Sequence, residues 1–113
     1  MINIRPQAIL VLISIFHLEI YSQDRPFFVA PEGHSIISTD LHIHTTFSDG
    51  SVWPNIRVSE ALREGLDLIS ITDHLEYQPH KDDIPNPNRN RSFDIANESA
   101  KKSKVKVIRG AEI

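Results

Sequence analysis

Three short runs hold the side chains able to do chemistry: Asp40-Leu-His-Ile-His44 leading into Ser48-Asp-Gly50, then Thr72-Asp-His74, then Gly110-Ala-Glu112. In an extended strand, residues two apart point the same way, so Asp40, His42 and His44 are expected on one face and Leu41 and Ile43 on the other. Two imidazoles at that spacing can chelate one ion, and Asp40 is placed to orient one of them from behind. Alone, a His-x-His pair on a strand is more often a satisfied core or surface feature. Here it has company. Asp49 falls just beyond the strand end, although Asp-Gly is also an ordinary turn signal. Asp73 and His74 pair a carboxylate with an imidazole, and Glu112 follows a glycine. The chain has no cysteine, so any metal must be held by imidazole and carboxylate.

The elements that must position these groups are readable from pattern. Ile36 to His44 is rich in β-branched and apolar residues and reads as a strand ending at Thr45-Thr46. Pro54 suits the first turn of a helix with Val58, Ala61 and Leu62 on one face, closed by Gly65. Leu66 to Thr72 reads as a second strand. A polar stretch with three prolines runs from Glu76 to Arg91. Ser92 is placed to cap a helix reaching about Lys102, with Phe93, Ala96 and Ala100 on one face, and Val105 to Ile108 reads as a third strand. Strand, helix, strand, helix, strand implies parallel pairing and an α/β architecture. Every chemical residue then sits at a strand's C-terminal end, the face where such sheets and barrels build their sites. That shared position is what favours a metal site over a set of unrelated turn residues.

The chain of 113 residues and net charge -3 is at most one small domain, and its mild acidity indicates no nucleic-acid partner. A basic start with Arg5, the apolar run Ala8 to Phe16 and a small residue at Ser22 read as a signal peptide over residues 1–22. The run is well short of the roughly 20 residues that span a bilayer, so no membrane association is expected after cleavage. The expected location is secreted or periplasmic. Residues 23–35, punctuated by Pro26, Pro31 and Gly33, form an extended lead-in to a domain over 36–113. His17 and His34 receive no functional role.

Taken together, Asp40-Leu-His-Ile-His-Thr-Thr-Phe-Ser-Asp-Gly50, Ile71-Thr-Asp-His74 and Gly110-Ala-Glu112 resemble the first three motifs of the PHP superfamily, named for polymerase and histidinol phosphatase. The resemblance covers about Ile37 to Ile113. Phe47-Ser-Asp-Gly-Ser-Val-Trp-Pro54 and Asp73-His-Leu-Glu-Tyr-Gln-Pro-His80 look closer still to secreted PHP phosphodiesterases of the Sb-PDE type. The resemblance implies the N-terminal part of a distorted (β/α)7 TIM-like barrel with two or three divalent ions, zinc, manganese or iron, at its C-terminal mouth. It implies that His42 and His44 bind one ion, that Glu112 bridges to a second, and that Asp49 and His74 serve a third. Asp40 and Asp73 would support these ligands from behind.

The expected activity is hydrolysis of a small-molecule phosphate ester, with a diester preferred, by a metal-activated hydroxide attacking phosphorus in line and no covalent intermediate. Clustered cations answer the charge problem, since a phosphodiester anion repels hydroxide. His80, Arg89 and Arg91 are candidate substrate contacts from the loop after the second strand, with solvated loop charge as the plainer reading. Trp53 is expected to pack the following helix onto the sheet. The family's remaining ligands come from later strands, so the chain is expected to be an N-terminal fragment that is inactive alone. The alternatives are a degenerate copy that binds metal without catalysis and, less favoured, an amidohydrolase-type barrel, which also begins with His-x-His.

Overall fold

A computed structural model describes residues 28–113. The expected signal segment and the first residues of the lead-in lie outside the described residues. The ordered elements are β1 (Thr39–Ile43), α1 (Pro54–Glu64), β2 (Leu68–Ile71), α2 (Arg91–Ala100) and β3 (Lys106–Arg109). The three strands form one parallel sheet in the order β1-β2-β3. The expected α/β alternation is therefore present as two successive β-α-β units.

β2 is central and reads as such. Ile69 and Ile71 are buried with Ser70 between them, the apolar density expected of a strand covered on a face by helices. They join Ile43, Val58, Ala61, Ala96, Ala100 and Val105 in a single core, so both helices lie on the same face of the sheet. The small alanines let the helices approach closely. Ile108, paired in register with Ser70, points to the opposite face and is exposed, as is Leu41.

Local chemistry sets the element ends. Pro54 opens α1, where its missing N–H is no loss. Gly65 closes it in the left-handed region at φ 71°, while Leu66 N–H reaches Ala61 O at 2.8 Å and Gly65 N–H reaches Leu62 O at 3.2 Å. That pair of bonds is the Schellman arrangement, which only glycine adopts without strain. Two expectations are corrected here. Leu62 is exposed, because the core-facing stripe of α1 runs through Val58 and Ala61. Ser92 does not cap α2 but is buried inside its first turn; the helix is entered through a turn in which Arg91 N–H bonds Asn88 O.

The strands are also shorter than the apolar runs suggest, and β1 carries an irregularity. Asp40 pairs with Ile69 but Ile43 with Ile71, so three steps on β1 match two on β2. A bulge of this kind breaks the simple alternation of faces. Among the described residues no helix is long and apolar enough to cross a membrane.

Two substitutions test this core. Ile69→Ala should cost about 2–5 kcal/mol, since it empties a fully enclosed position. Ile108→Ala, on the uncovered face, should change stability by within about 0.5 kcal/mol. Denaturant unfolding of both variants checks the contrast, and equal losses would show that the helices cover the other face.

Candidate metal centre

The C-terminal ends of β1, β2 and β3 bring together all five expected ligands. His42 Nε2 lies 2.9 Å and His44 Nε2 2.7 Å from the same oxygen, Glu112 Oε2. His44 Nδ1 lies 2.6 Å from Asp49 Oδ1, and the other Asp49 oxygen is 3.7 Å from His74 Nε2. His74 Nε2 is also 3.9 Å from Glu112 Oε2, so this carboxylate stands between the histidine pair and His74, as a bridging ligand must. Two three-residue groups can each hold an ion: His42, His44 and Glu112, and His44, Asp49 and His74.

Main-chain pairing delivers these groups. Just past the strands, His74 and Glu112 form an isolated parallel bridge, with Leu75 N–H donating to Glu112 O at 3.1 Å. Thr72 N–H donates to Ile43 O at 2.8 Å, which fixes the β1 end against the β2 end. Gly110 is required by close approach. A Cβ there would stand 2.6 Å from the Thr72 methyl and 2.7 Å from Ser70 Oγ. Gly50 is required more strictly, since a Cβ would come within 2.6–2.7 Å of the His44 carbonyl and the Thr45 nitrogen. The loop therefore folds flat against the β1 end and returns Asp49 to His44.

The two acidic residues expected to support ligands act differently from that expectation. Asp40 Oδ1 accepts from the His42 backbone N–H at 3.1 Å and is not among the contacts of any imidazole ring. Its side chain lines a cleft of about 320 Å³ with Ile43, Ala61 and Leu66, beside α1. The β1 bulge is the reason, because it places Asp40 and Ile43 along one cleft where strict alternation would separate them. Asp73 is buried and touches no histidine. Its Oδ1 accepts from Thr45 N–H at 2.6 Å and Ser48 Oγ at 2.7 Å, and its Oδ2 accepts from Thr45 Oγ1 at 2.7 Å. Hydrogen bonds to a charged acceptor contribute about 1.5–3 kcal/mol each, so this carboxylate is a strong clamp on the loop after β1.

The loop cations stay apart from the centre. The Arg89 guanidinium donates to Asn86 O within its own loop. Arg91 donates to Pro85 O and lies 5.2 Å over the Phe47 ring. His80 is exposed, and its main-chain carbonyl accepts from Asp83 and Ile84 to close a turn. Trp53 packs on Phe47 at 5.0 Å, in keeping with its expected structural role.

Sequence pattern missed two neighbours of the ligands. Arg57 Nε, from α1, donates to His44 O at 3.1 Å and so ties the helix to the ligand's backbone. Glu76 Oε1 is 3.4 Å from His74 Nδ1, a buried nitrogen that has no hydrogen bond. The His74-x-Glu76 spacing was the available signal, since a carboxylate behind a ligating imidazole fixes its tautomer.

The donor set fits a divalent ion. His44 Nε2 and Glu112 Oε2 are both buried and lack a hydrogen bond although they stand 2.7 Å apart, so they are close but misaligned for sharing a proton. A cation between them satisfies both. Ligands about 2.1 Å from a tetrahedral ion are about 3.4 Å from one another, so the group needs to open by roughly half an ångström. Nitrogen and oxygen donors without sulfur leave the choice of divalent ion open. A neutral imidazole offers one lone pair. With Nε2 of His44 turned to Glu112, its Nδ1–H donates to Asp49, which leaves Asp49 Oδ2 facing His74 Nε2 at 3.7 Å.

Electrostatics follow from this geometry. Desolvation pulls the His44 pKa down, but the Asp49 and Glu112 carboxylates outweigh it and the net shift is upward from 6.5. The hydrogen bond from His44 holds Asp49 below its ordinary 3.8. In the metal-free chain the raised histidine stabilises the fold fully below its unfolded pKa of 6.5 and loses that contribution as pH rises through the folded value. The lowered carboxylate contributes above 3.8 and loses its share as pH falls through its folded value. The pair thus supports the metal-free fold best between those two values.

Similarity to known proteins is consistent with this centre. The family model described as PHP domain matches residues 40–113. Among solved structures, the chain is similar to a two-domain protein of Bacteroides vulgatus described as containing a predicted PHP-like metal-dependent phosphoesterase. The identity is 47% with a TM-score of 0.71, over 80% of this chain and 27% of that one. The chain therefore spans about a quarter of that protein's length. No curated protein matches.

Metal must displace the proton that the raised His44 retains, so affinity for Zn²⁺ should climb with pH through and above 6.5 and then level off. Calorimetric titrations across that range check the slope, and a flat profile would remove His44 from the ligand set. Gly50→Ala should push the loop off His44, with a loss of about 1–3 kcal/mol in stability. It should also return the His44 titration, followed by NMR, toward 6.5.

Proposed function

This chain belongs to the PHP domain family, and on that premise we propose that it supplies the metal-binding face of a phosphoesterase acting on phosphodiesters. The observation that carries the reading is the convergence of His42 Nε2 and His44 Nε2 on one Glu112 oxygen at the C-terminal ends of parallel strands. Asp49 and His74 stand next to that group, close enough for a second ion to share Glu112. The family match also sets aside the amidohydrolase alternative, which gives no account of the Ser-Asp-Gly, Thr-Asp-His and Gly-Ala-Glu series.

Divalent ions held there supply Lewis-acid chemistry: they offset the ester's negative charge and bring the pKa of water toward neutrality. The chain's own residues do the rest. His42 and His44 would offer their Nε2 atoms, and Asp49 accepts the His44 Nδ1–H so that Nε2 would keep its lone pair for the ion. Glu112, half-buried between the histidines, sets the spacing of the two positions. Glu76 stands 3.4 Å behind His74 Nδ1 without a hydrogen bond, a looser counterpart of the 2.6 Å bond between Asp49 and His44. The centre holds no serine or cysteine nucleophile beside a base, in keeping with direct attack by water. Ser48 is buried and its hydroxyl proton is committed to Asp73.

The reading extends to the rest of the protein as a proposal. The three parallel strands form the start of a (β/α)7 barrel, whose later strands complete the ligand sets. The apolar start over residues 1–22 exports the protein to the periplasm or beyond. The diester preference rests on the sequence likeness around Phe47 to Pro54 and Asp73 to His80.

In the complete protein, replacing either His42 or His44 by alanine should remove bound metal and hydrolysis together, with the loss in kcat/KM exceeding about 100-fold. Metal content by elemental analysis, alongside turnover of bis(p-nitrophenyl) phosphate and p-nitrophenyl phosphate, makes the test. Activity retained at normal metal content would overturn the assignment. Faster turnover of the monoester would overturn the diester preference alone.

A further inference from the structure

We infer that the Asp73 carboxylate is a positioning residue that builds the second ion position, formed by Asp49 and His74, more than it builds the first. The inference rests on the two-ion reading of the centre and names what controls its weaker half.

The two positions have different supports. His42, His44 and Glu112 are held by main chain. Ile43 O accepts from Thr72 N–H, Glu112 N–H approaches Asp73 O at 3.4 Å, and Leu75 N–H donates to Glu112 O. None of those bonds uses the Asp73 side chain, which reaches this group through Thr45 N–H, next to His44. Asp49 is different, because it lies beyond the strand on the Thr45–Gly50 loop. That loop has two internal main-chain ties, Ser48 N–H to Thr45 O at 3.0 Å and Thr46 N–H to Val52 O at 3.1 Å. Its attachment to β2 runs through the carboxylate of Asp73, which collects Thr45 N–H, Thr45 Oγ1 and Ser48 Oγ at 2.6–2.7 Å. All three residues are buried, with Thr45 and Ser48 completely enclosed.

Ser48 immediately precedes Asp49, so the clamp fixes the main chain one residue from the ligand. Asp73 in turn immediately precedes His74. One buried carboxylate therefore sets the separation of the two side chains that face the second ion, from both sides. The carboxylate can only accept, so the Thr45 hydroxyl donates to Asp73 while its oxygen accepts from Phe47 N–H at 3.2 Å. An amide in place of the carboxylate retains one acceptor oxygen. It then turns its NH₂ toward the Thr45 hydroxyl, whose proton loses its acceptor, so Asp73→Asn weakens the clamp without changing its size.

The experiment is a Co²⁺ titration of the metal-free full chain, followed by visible absorbance, with Zn²⁺ calorimetry for stoichiometry. The wild-type chain should show two uptake events. In Asp73→Asn the second event should weaken by about 10–100-fold, the effect typical of losing a group that orients a ligand, and the first by clearly less. Ser48→Ala, which keeps two of the three bonds, should move the second event in the same direction by less. It also decides the matter if Asp73→Asn does not fold. Equal weakening of both events in Ser48→Ala would show a general support and overturn the inference. So would a second event unchanged in both variants. A wild-type chain that takes up one ion only would overturn the inference together with the two-ion reading, which separates the two failures.

Discussion

A carboxylate enclosed between two loops organises the working end of this molecule. Asp73 accepts three short hydrogen bonds from Thr45 and Ser48, and it does so from the end of β2, the central strand. Burying a charge is costly unless its lone pairs are met, and here the partners are a main-chain N–H and two hydroxyls. The arrangement leaves little freedom. If the loop after β1 moves, the carboxylate loses its donors, so loop position and charge burial are secured together. Gly50 completes the constraint by letting the loop lie against the His44 carbonyl.

On this base the sheet supplies an edge where like functions collect. Parallel strands have all their C-terminal ends on one side, and β1, β2 and β3 each end in an imidazole or a carboxylate within a few ångströms of the next. The histidines and acids pair with one another in the metal-free chain, which explains the upward shift at His44 and the downward shift at Asp49. His44 and Glu112 approach closely without a hydrogen bond, the arrangement expected of groups that meet best across a cation.

The apolar scaffold carries no chemistry but fixes the spacing. Ile69 and Ile71 lock β2 beneath both helices, and small alanines at Ala61, Ala96 and Ala100 allow close packing. Arg57 links this scaffold to the site, reaching from α1 to the His44 carbonyl while pairing with Glu60. The helix face and the metal edge are thus joined through the backbone of a ligand.

Residue type and spacing alone were enough for the βαβαβ order, for Pro54 and Gly65 as the ends of α1, and for the gathering of His42, His44, Asp49, His74 and Glu112 at one edge of the sheet. Those features are local or follow from strand order, since successive parallel strands must end on the same side. The supporting roles were not legible. Asp40 left the ligand face because β1 bulges, a register event set by pairing with β2. Asp73 met Thr45 and Ser48, more than two dozen positions away in sequence, and Arg57 met the His44 carbonyl from a helix whose rotation depends on the core. A side chain's type declares what it can bind, whereas its partner depends on which distant backbone the packed sheet brings within 3 Å. The sequence by itself determined which imidazoles and carboxylates end the strands and the order of those strands. Only the tertiary structure decided which carboxylates face the histidines and which one holds the loop in place.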